Sequence, residues 1–352
     1  MADRVHPPNQ GAREVIDSYA HVGTPRFGTA EQAHRFLAAS GISRMALVLF
    51  PGAPDLPQID AAHAALGEDV RVFGMPYGAN EDEVVEIVEA QIEAGVAGFR
   101  FQPNELLAYP RALELVGRND RILYATNPSS SPEACRAVVS FLDRHPDAAV
   151  ASPHFLRTSL PNAGSDEAAA LEPLLSNPRF TAIFSRHGGM GTVRPYPHED
   201  YGPWVDLVVD RCGWDRIMWG SEYPVLFWRN ETIASCIDWL EAIRPALFAG
   251  PEGRAHKRAY LAGNAERLLF SQPSPPRAPI RIPRWLAGRF DPSGSVPLFP
   301  KGISVPMPIY SRYLDGYLER LATEPRLTFE QFMVEALAGN SSPDLPPPSS
   351  KR

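Results

Sequence analysis

The chain has 352 residues, 44% of them hydrophobic and 21% charged, which is ordinary globular composition and enough for one large domain plus an appendage. A net charge of −7 argues against nucleic acid or an acidic membrane surface as partner. No apolar run is long enough to span a bilayer, the polar N-terminus lacks the apolar core of a secretory signal, and three scattered cysteines (Cys135, Cys212, Cys236) suit a reducing cytoplasm.

Apolar, strand-like runs alternate with helical patterns along the chain. The first run, Val15–Ala20, leads into "VIDSYAHVG", where Tyr19 and His21 sit two apart and therefore share one face of a strand. Seven more follow: Ser43–Phe50, Arg71–Met75, Ala97–Phe101, Arg121–Thr126, Ala148–Ser152, Thr181–Ser185 and Arg216–Gly220. Between them, "EDEVVEIVEAQIEAG" repeats apolar residues at three- and four-residue steps, with acids in its first turn and a glycine at its end. "SPEACRAVVSFLDRHP" has Ser131 as N-cap, proline at the first helical position and Pro146 as stop, and "ETIASCIDWLEAIRP" follows the last strand in the same style.

Eight strands, each followed by a helix, predict an α/β fold of (β/α)8 TIM-barrel type over residues 13–270. A doubly wound open sheet is the structural rival, but no glycine-rich phosphate loop follows the first strand. Residues 1–12 read as a tail. After residue 270 the composition changes: 15 of the 37 prolines fall in the last 82 residues. "SQPSPPRAPIRIP" reads as an extended linker. Two short helices follow within residues 271–338, the second capped by Thr328, and residues 339–352 read as a disordered tail.

Barrel enzymes work at the carboxyl ends of their strands. Those ends carry Tyr19 and His21, then Tyr77 and Asn80, then Arg100, then Thr126 and Asn127, then His154, then Arg186 and His187, and finally Glu222. Three histidines and an acid on one rim are the functional signal. Each also has a structural reading: a strand-capping His21, a packed His154, a loop His187, an Arg100 paired inside the barrel. An acid after an apolar strand is costly unless paired or functional, which singles out Glu222. No lysine occurs before Lys257, so the barrel strands offer neither a carbamylated-lysine bridge nor a Schiff-base amine.

With these residues in view the chain resembles the amidohydrolase-related family of metal-dependent TIM-barrel hydrolases, whose members include aromatic-acid decarboxylases and dicarboxylate lactonases. The resemblance rests on "VIDSYAHVG", "GVAGFRFQP", "ASPHF", "DRIMWGSEYPV" and "YLAGNAERLL". It implies a single divalent metal, zinc or manganese, on an Asp-x-His-x-His first strand, a later histidine and a final aspartate. Carried over, the ligands become His21, His154 and Glu222, with His187 as a candidate to complete them. Tyr19 stands where the first histidine is expected and Glu222 where an aspartate is, so a metal or none is left open. Tyrosine is a poor zinc ligand at neutral pH.

The resulting expectation is a hydrolase for a small carboxylated or cyclic substrate, a lactone or amide. Glu222, His154, His21 and Tyr19 carry the catalysis, and Arg100, Tyr77, Asn127 and His187 bind the substrate. The alternatives are a non-oxidative decarboxylase of an aromatic or enoic acid, and a catalytically degenerate barrel serving as a binding subunit. A cytoplasmic location and a homodimer are further expectations. Because strands one and eight adjoin in a closed barrel, a Tyr19–Glu222 hydrogen bond is predicted as well.

Overall fold

The structure, a computed structural model, describes residues 14–24, 26–49, 54–156, 166–189, 191–229, 231–287, 289, 295–298 and 303–339. The predicted tails, 1–12 and 339–352, lie outside these residues apart from Gly339, the last residue of the final helix.

The barrel alternates β1 (Ile16–Val22), α1 (Ala30–Ser40), β2 (Arg44–Leu49), α2 (Pro57–Leu66), β3 (Val70–Gly74), α3 (Glu81–Glu93) and β4 (Gly98–Phe101). Then come α4 (Pro103–Ala108), α5 (Pro110–Arg118), β5 (Ile122–Ala125), α6 (Pro132–Arg144), β6 (Val150–Ser152), α7 (Asp166–Leu175), β7 (Phe180–Phe184), α8 (Gly202–Cys212) and β8 (Ile217–Trp219). Helices α9 (Ile233–Ile243) and α10 (Gly250–Arg258) follow, and α10 continues as wider π-type turns to Phe270. The strands pair in parallel in sequence order, β1 to β8. Each observed strand lies within two residues of its predicted run, because a parallel strand buried on both faces is a near-continuous apolar segment. Ser131 caps α6 by accepting from Ala134 N–H, as its sequence suggested.

The cylinder is drawn together between β8 and β1. Ser221 donates its backbone N–H to Asp17 Oδ1 at 2.9 Å and its hydroxyl to Asp17 Oδ2. Glu222 N–H donates to the Tyr19 carbonyl (2.8 Å) and His21 N–H to the Tyr223 carbonyl (2.7 Å). Inside, Ile16, Val48, Phe73, Tyr124, Ile183 and Met218 fill the interior, while a separate apolar layer joins sheet and helices.

The proline-rich segment is a strap on the outside of the barrel. Ala278 N–H donates to the Glu93 carbonyl at the end of α3, Trp285 Nε1 to Glu86 midway along it, and Arg289 to Glu83 in its first turn. The strap therefore climbs α3 toward the carboxyl end of the barrel. There a hairpin of β9 (Ser295–Leu298) and β10 (Ile303–Pro306) precedes α11 (Met307–Leu321) and α12 (Phe329–Gly339). Buried Tyr310, Leu314 and Tyr317 of α11 pack into the main core, and Gln32 of α1 donates to Ser311 Oγ and Asp315 Oδ1. Trp228 Nε1 donates to Tyr310 Oη at 3.1 Å, which ties the extension to the segment after β8.

Candidate active site

After each of the last four strands the chain turns sharply. Asn127, His154, Arg186 and Glu222 all have φ between 49° and 65°, a left-handed backbone that non-glycine residues adopt rarely. After β6 three consecutive residues do so, His154, Phe155 and Leu156. The surroundings hold that turn: His154 N–H donates to Ser185 Oγ, Trp204 Nε1 to the Phe155 carbonyl, and Ser129 Oγ to the Leu156 carbonyl. Strain of this kind persists only where neighbours enforce it, and it aims the side chains at the carboxyl mouth.

Glu222 is the hub of that mouth. It is 3% exposed, with Oε2 accepting from Arg229 Nη1 at 2.8 Å and Oε1 lying 3.0 Å from His154 Nε2 and 3.7 Å from Arg186 Nε. Arg229 reaches it across Gly189, where a Cβ would come within 2.4 Å of the guanidinium carbon. Burial by itself would raise the Glu222 carboxyl, but the Arg229 guanidinium, with Arg186 beyond it, holds it well below the usual range. Burial lowers His154 to about 4, so the residue is neutral at pH 7 and its contact with Glu222 is then not an ion pair. The His154 ring is turned off the line to Oε1, and neither of its nitrogens has an aligned hydrogen bond.

Tyr19 and His21 share the mouth as the alternation requires. The Tyr19 ring meets both imidazoles edge-on, at centroid distances of 4.9 Å (His21) and 5.1 Å (His154). The predicted Tyr19–Glu222 side-chain bond is replaced: Tyr19 Oη accepts from Arg100 Nε at 2.9 Å, and the link to Glu222 runs through the main chain. Burial raises the Tyr19 phenol above 10, so it remains protonated. His21 Nδ1, Thr126 Oγ1, Asn127 Oδ1 and Arg186 Nε are buried without partners. Buried polar atoms are normally bonded, so this concentration at one rim marks a place for a ligand.

Other expected site residues go elsewhere. Tyr77 stacks on Trp285 of the strap, with centroids 6.3 Å apart. His187 lies against Trp239 and Cys236 rather than against Glu222. Two further arginines stand at the mouth, Arg229 and Arg26. Arg26 lies over the Phe27 and Trp228 rings and is close enough to Glu222, Arg186 and Arg229 to feel their charges. Neither ends a strand, so neither carries a strand-end signal in the sequence.

The amidohydrolase family model matches residues 24–270. The chain belongs to that family. Solved structures with a similar fold include a probable 2-pyrone-4,6-dicarboxylic acid hydrolase from Acinetobacter baumannii with citric acid bound. It is 16% identical, with a TM-score of 0.54 over 72% of this chain and 98% of that one. A putative enzyme of the same name from Pseudomonas putida is 18% identical, with a TM-score of 0.56 over 74% and 99%. An amidohydrolase from Burkholderia multivorans with bound zinc is 16% identical, with a TM-score of 0.54 over 74% and 100%. No curated protein matches the chain. The family match ends at Phe270, so the strap and α11–α12 are additions to the matched barrel.

The family's metal fits poorly on the residues present here. Arg229 occupies one Glu222 oxygen, Arg186 faces the other, and Tyr19 with Arg100 attached fills a histidine's place. Among the described residues, donors of His21, His154 and Glu222 do not gather within 4.8 Å of one another. A guanidinium already supplies the positive charge that a cation would bring. Among these residues, too, no helix is long and apolar enough to cross a membrane.

Proposed function

We propose that the protein adds water to a small substrate carrying a carboxylate, at a lactone or amide carbonyl held in the barrel mouth. One observation carries the reading: Glu222 is buried and ionised between His154 and Arg229, in a mouth where arginines outnumber it. Surplus cations at the mouth recruit an anion, and a substrate carboxylate paired with Arg186 supplies it.

That pairing also prepares the base. Glu222 alone is too weakly basic, because Arg229 and Arg186 stabilise its ionised form. Neutralising Arg186 weakens this hold and raises the proton affinity of Glu222, so the base strengthens when substrate binds. Glu222 takes a proton from water as the water oxygen bonds to the carbonyl carbon, and neutral His154 orients the water. Tyr19 accepts from Arg100 and so keeps its own proton free for the developing oxyanion. Collapse breaks the C–O or C–N bond, and Glu222 returns the proton to the leaving atom. The shared name of two relatives, 2-pyrone-4,6-dicarboxylic acid hydrolase, specifies a doubly carboxylated cyclic ester and agrees with this substrate class.

The test offers the protein 2-pyrone-4,6-dicarboxylate and simpler carboxylated lactones and amides, and follows both ring opening and carbon dioxide. Expected are water addition without carbon dioxide, and a loss of about 10²–10⁴-fold in kcat/KM for Glu222→Gln. Release of carbon dioxide, or a Glu222→Gln variant as active as wild type, would falsify the assignment.

A further inference from the structure

Beside the mouth, between the ends of β7 and β8, lies a second group of side chains that the hydrolytic reading leaves unused. His187 comes from the turn after β7, Glu231 immediately precedes the Thr232 N-cap of α9, and Cys236 lies just inside that helix. Their donor atoms lie within 4.8 Å of one another, and Cys236 Sγ is 3.3 Å from His187 Nδ1. His187 and Cys236 are 1% and 2% exposed, and His187 Nε2 has no partner. Glu231 accepts the Gly188 N–H at 3.0 Å and lines a cavity of about 430 Å³, whose other walls include His198 and Thr232.

Burying a thiol and an imidazole together, with a half-buried carboxyl against them, is costly unless something satisfies them. Burial pushes the Glu231 carboxyl up to about 7 and the Cys236 thiol well above its usual value, and lowers His187 to about 3. The three donor types suit one class of ligand. Thiolate and imidazole select zinc-type ions over magnesium and calcium, which prefer all-oxygen shells. Three protein ligands with a fourth position open is the common arrangement for zinc that meets a substrate or water.

We propose that His187, Glu231 and Cys236 bind one zinc-type divalent ion whose fourth coordination position opens on that cavity. His187 and Cys236 form the buried back of the site, and Glu231 reaches it from the cavity wall. His198 is set up on the same wall. Its Nδ1 donates to the Arg194 carbonyl at 2.9 Å, which leaves Nε2 facing the cavity side. Gly188 keeps the gap between them open, since a Cβ there would lie 2.6 Å from Glu231 Oε1 and 3.3 Å from His198 Nε2. Binding displaces the thiol proton, and any proton on Glu231, to solvent. The nearby Arg229 turns its Nη1 to Glu222, where its charge is matched. The site shares no residue with His21, His154 and Glu222.

Cobalt(II) provides the decisive probe, because a thiolate–cobalt bond gives a near-ultraviolet charge-transfer band that oxygen and nitrogen ligands lack. The full-length protein, stripped with chelator and titrated with cobalt(II) and then zinc(II), should take up one equivalent and show that band. Cys236→Ser should remove the band, and Glu231→Gln should keep it while weakening zinc binding about 10–100-fold, a range typical for disturbed zinc shells. His21→Ala should change neither, and circular dichroism checks that every variant is folded. Failure to bind the ions at micromolar concentration overturns the proposal, as does uptake abolished by His21→Ala but kept with its band in Cys236→Ser. Because the readout is spectroscopic, the result is independent of any turnover at Glu222.

Discussion

The two ends of the barrel hold arginines in opposite ways. At the amino end Arg71, 4% exposed, is bonded through all three of its nitrogens: Nε to the Leu269 carbonyl, Nη1 to Ser274 Oγ and the Val70 and Glu68 carbonyls, Nη2 to the Gln272 carbonyl. At the carboxyl end Arg186 leaves its Nε unbonded, 3.7 Å from a carboxylate that Arg229 already holds. A buried cation bonded through every nitrogen is a structural tie, here fastening the start of the strap to the barrel. A half-buried cation held near a carboxylate with its Nε to spare is poised for a ligand.

This contrast can be broken by experiment. Arg71→Met strands several carbonyls at once and should lower the unfolding free energy by about 3 kcal/mol, since hydrogen bonds to charged groups are worth ~1.5–3 kcal/mol each. Denaturant titration measures this, and kcat/KM should be unchanged. Arg186→Met should do the reverse: little change in the melting curve, but kcat/KM lower by about tenfold to a hundredfold, the loss of one charged hydrogen bond to substrate. If Arg186→Met is as destabilising as Arg71→Met, the distinction between the two ends collapses.

The smallest effect at neutral pH concerns protonation. His154 is lowered to about 4 and Glu222 lies well below its usual value, so both hold their working states at pH 6. The free-enzyme profile of kcat/KM should therefore be flat through pH 6.5 and fall only as pH drops through about 4, when His154 gains its proton. Stability has the same sign for this residue. Its folded pKa is depressed, so its contribution is present above the unfolded value near 6.5 and lost as pH falls toward 4. An activity limb near 6.5 would mean that His154 is solvated, against the burial described here.

The barrel was legible because each strand is a short apolar run between amphipathic helices, and period alone separates the two. The rim was legible in part because strand ends are local features: Tyr19, His21, Arg100, His154 and Glu222 were read from single stretches and meet in space. Tyr77 also ends a strand, but the strap's Trp285 covers it, and that contact spans some 200 residues. The Tyr19–Glu222 bond failed for a comparable reason: Arg100, from β4, takes the phenol oxygen across the barrel.

By itself, then, the sequence determined the eight-strand alternation, the rim on which chemistry collects and the absence of any lysine from the barrel strands. Periodicity and composition are properties of neighbours in the chain. Only the tertiary structure decided that Arg229 holds Glu222, that Arg100 holds Tyr19, and that His187 joins Glu231 and Cys236. Each of those outcomes is a competition among side chains for one buried partner. Its winner is set by distances across the closed barrel, which no local pattern records.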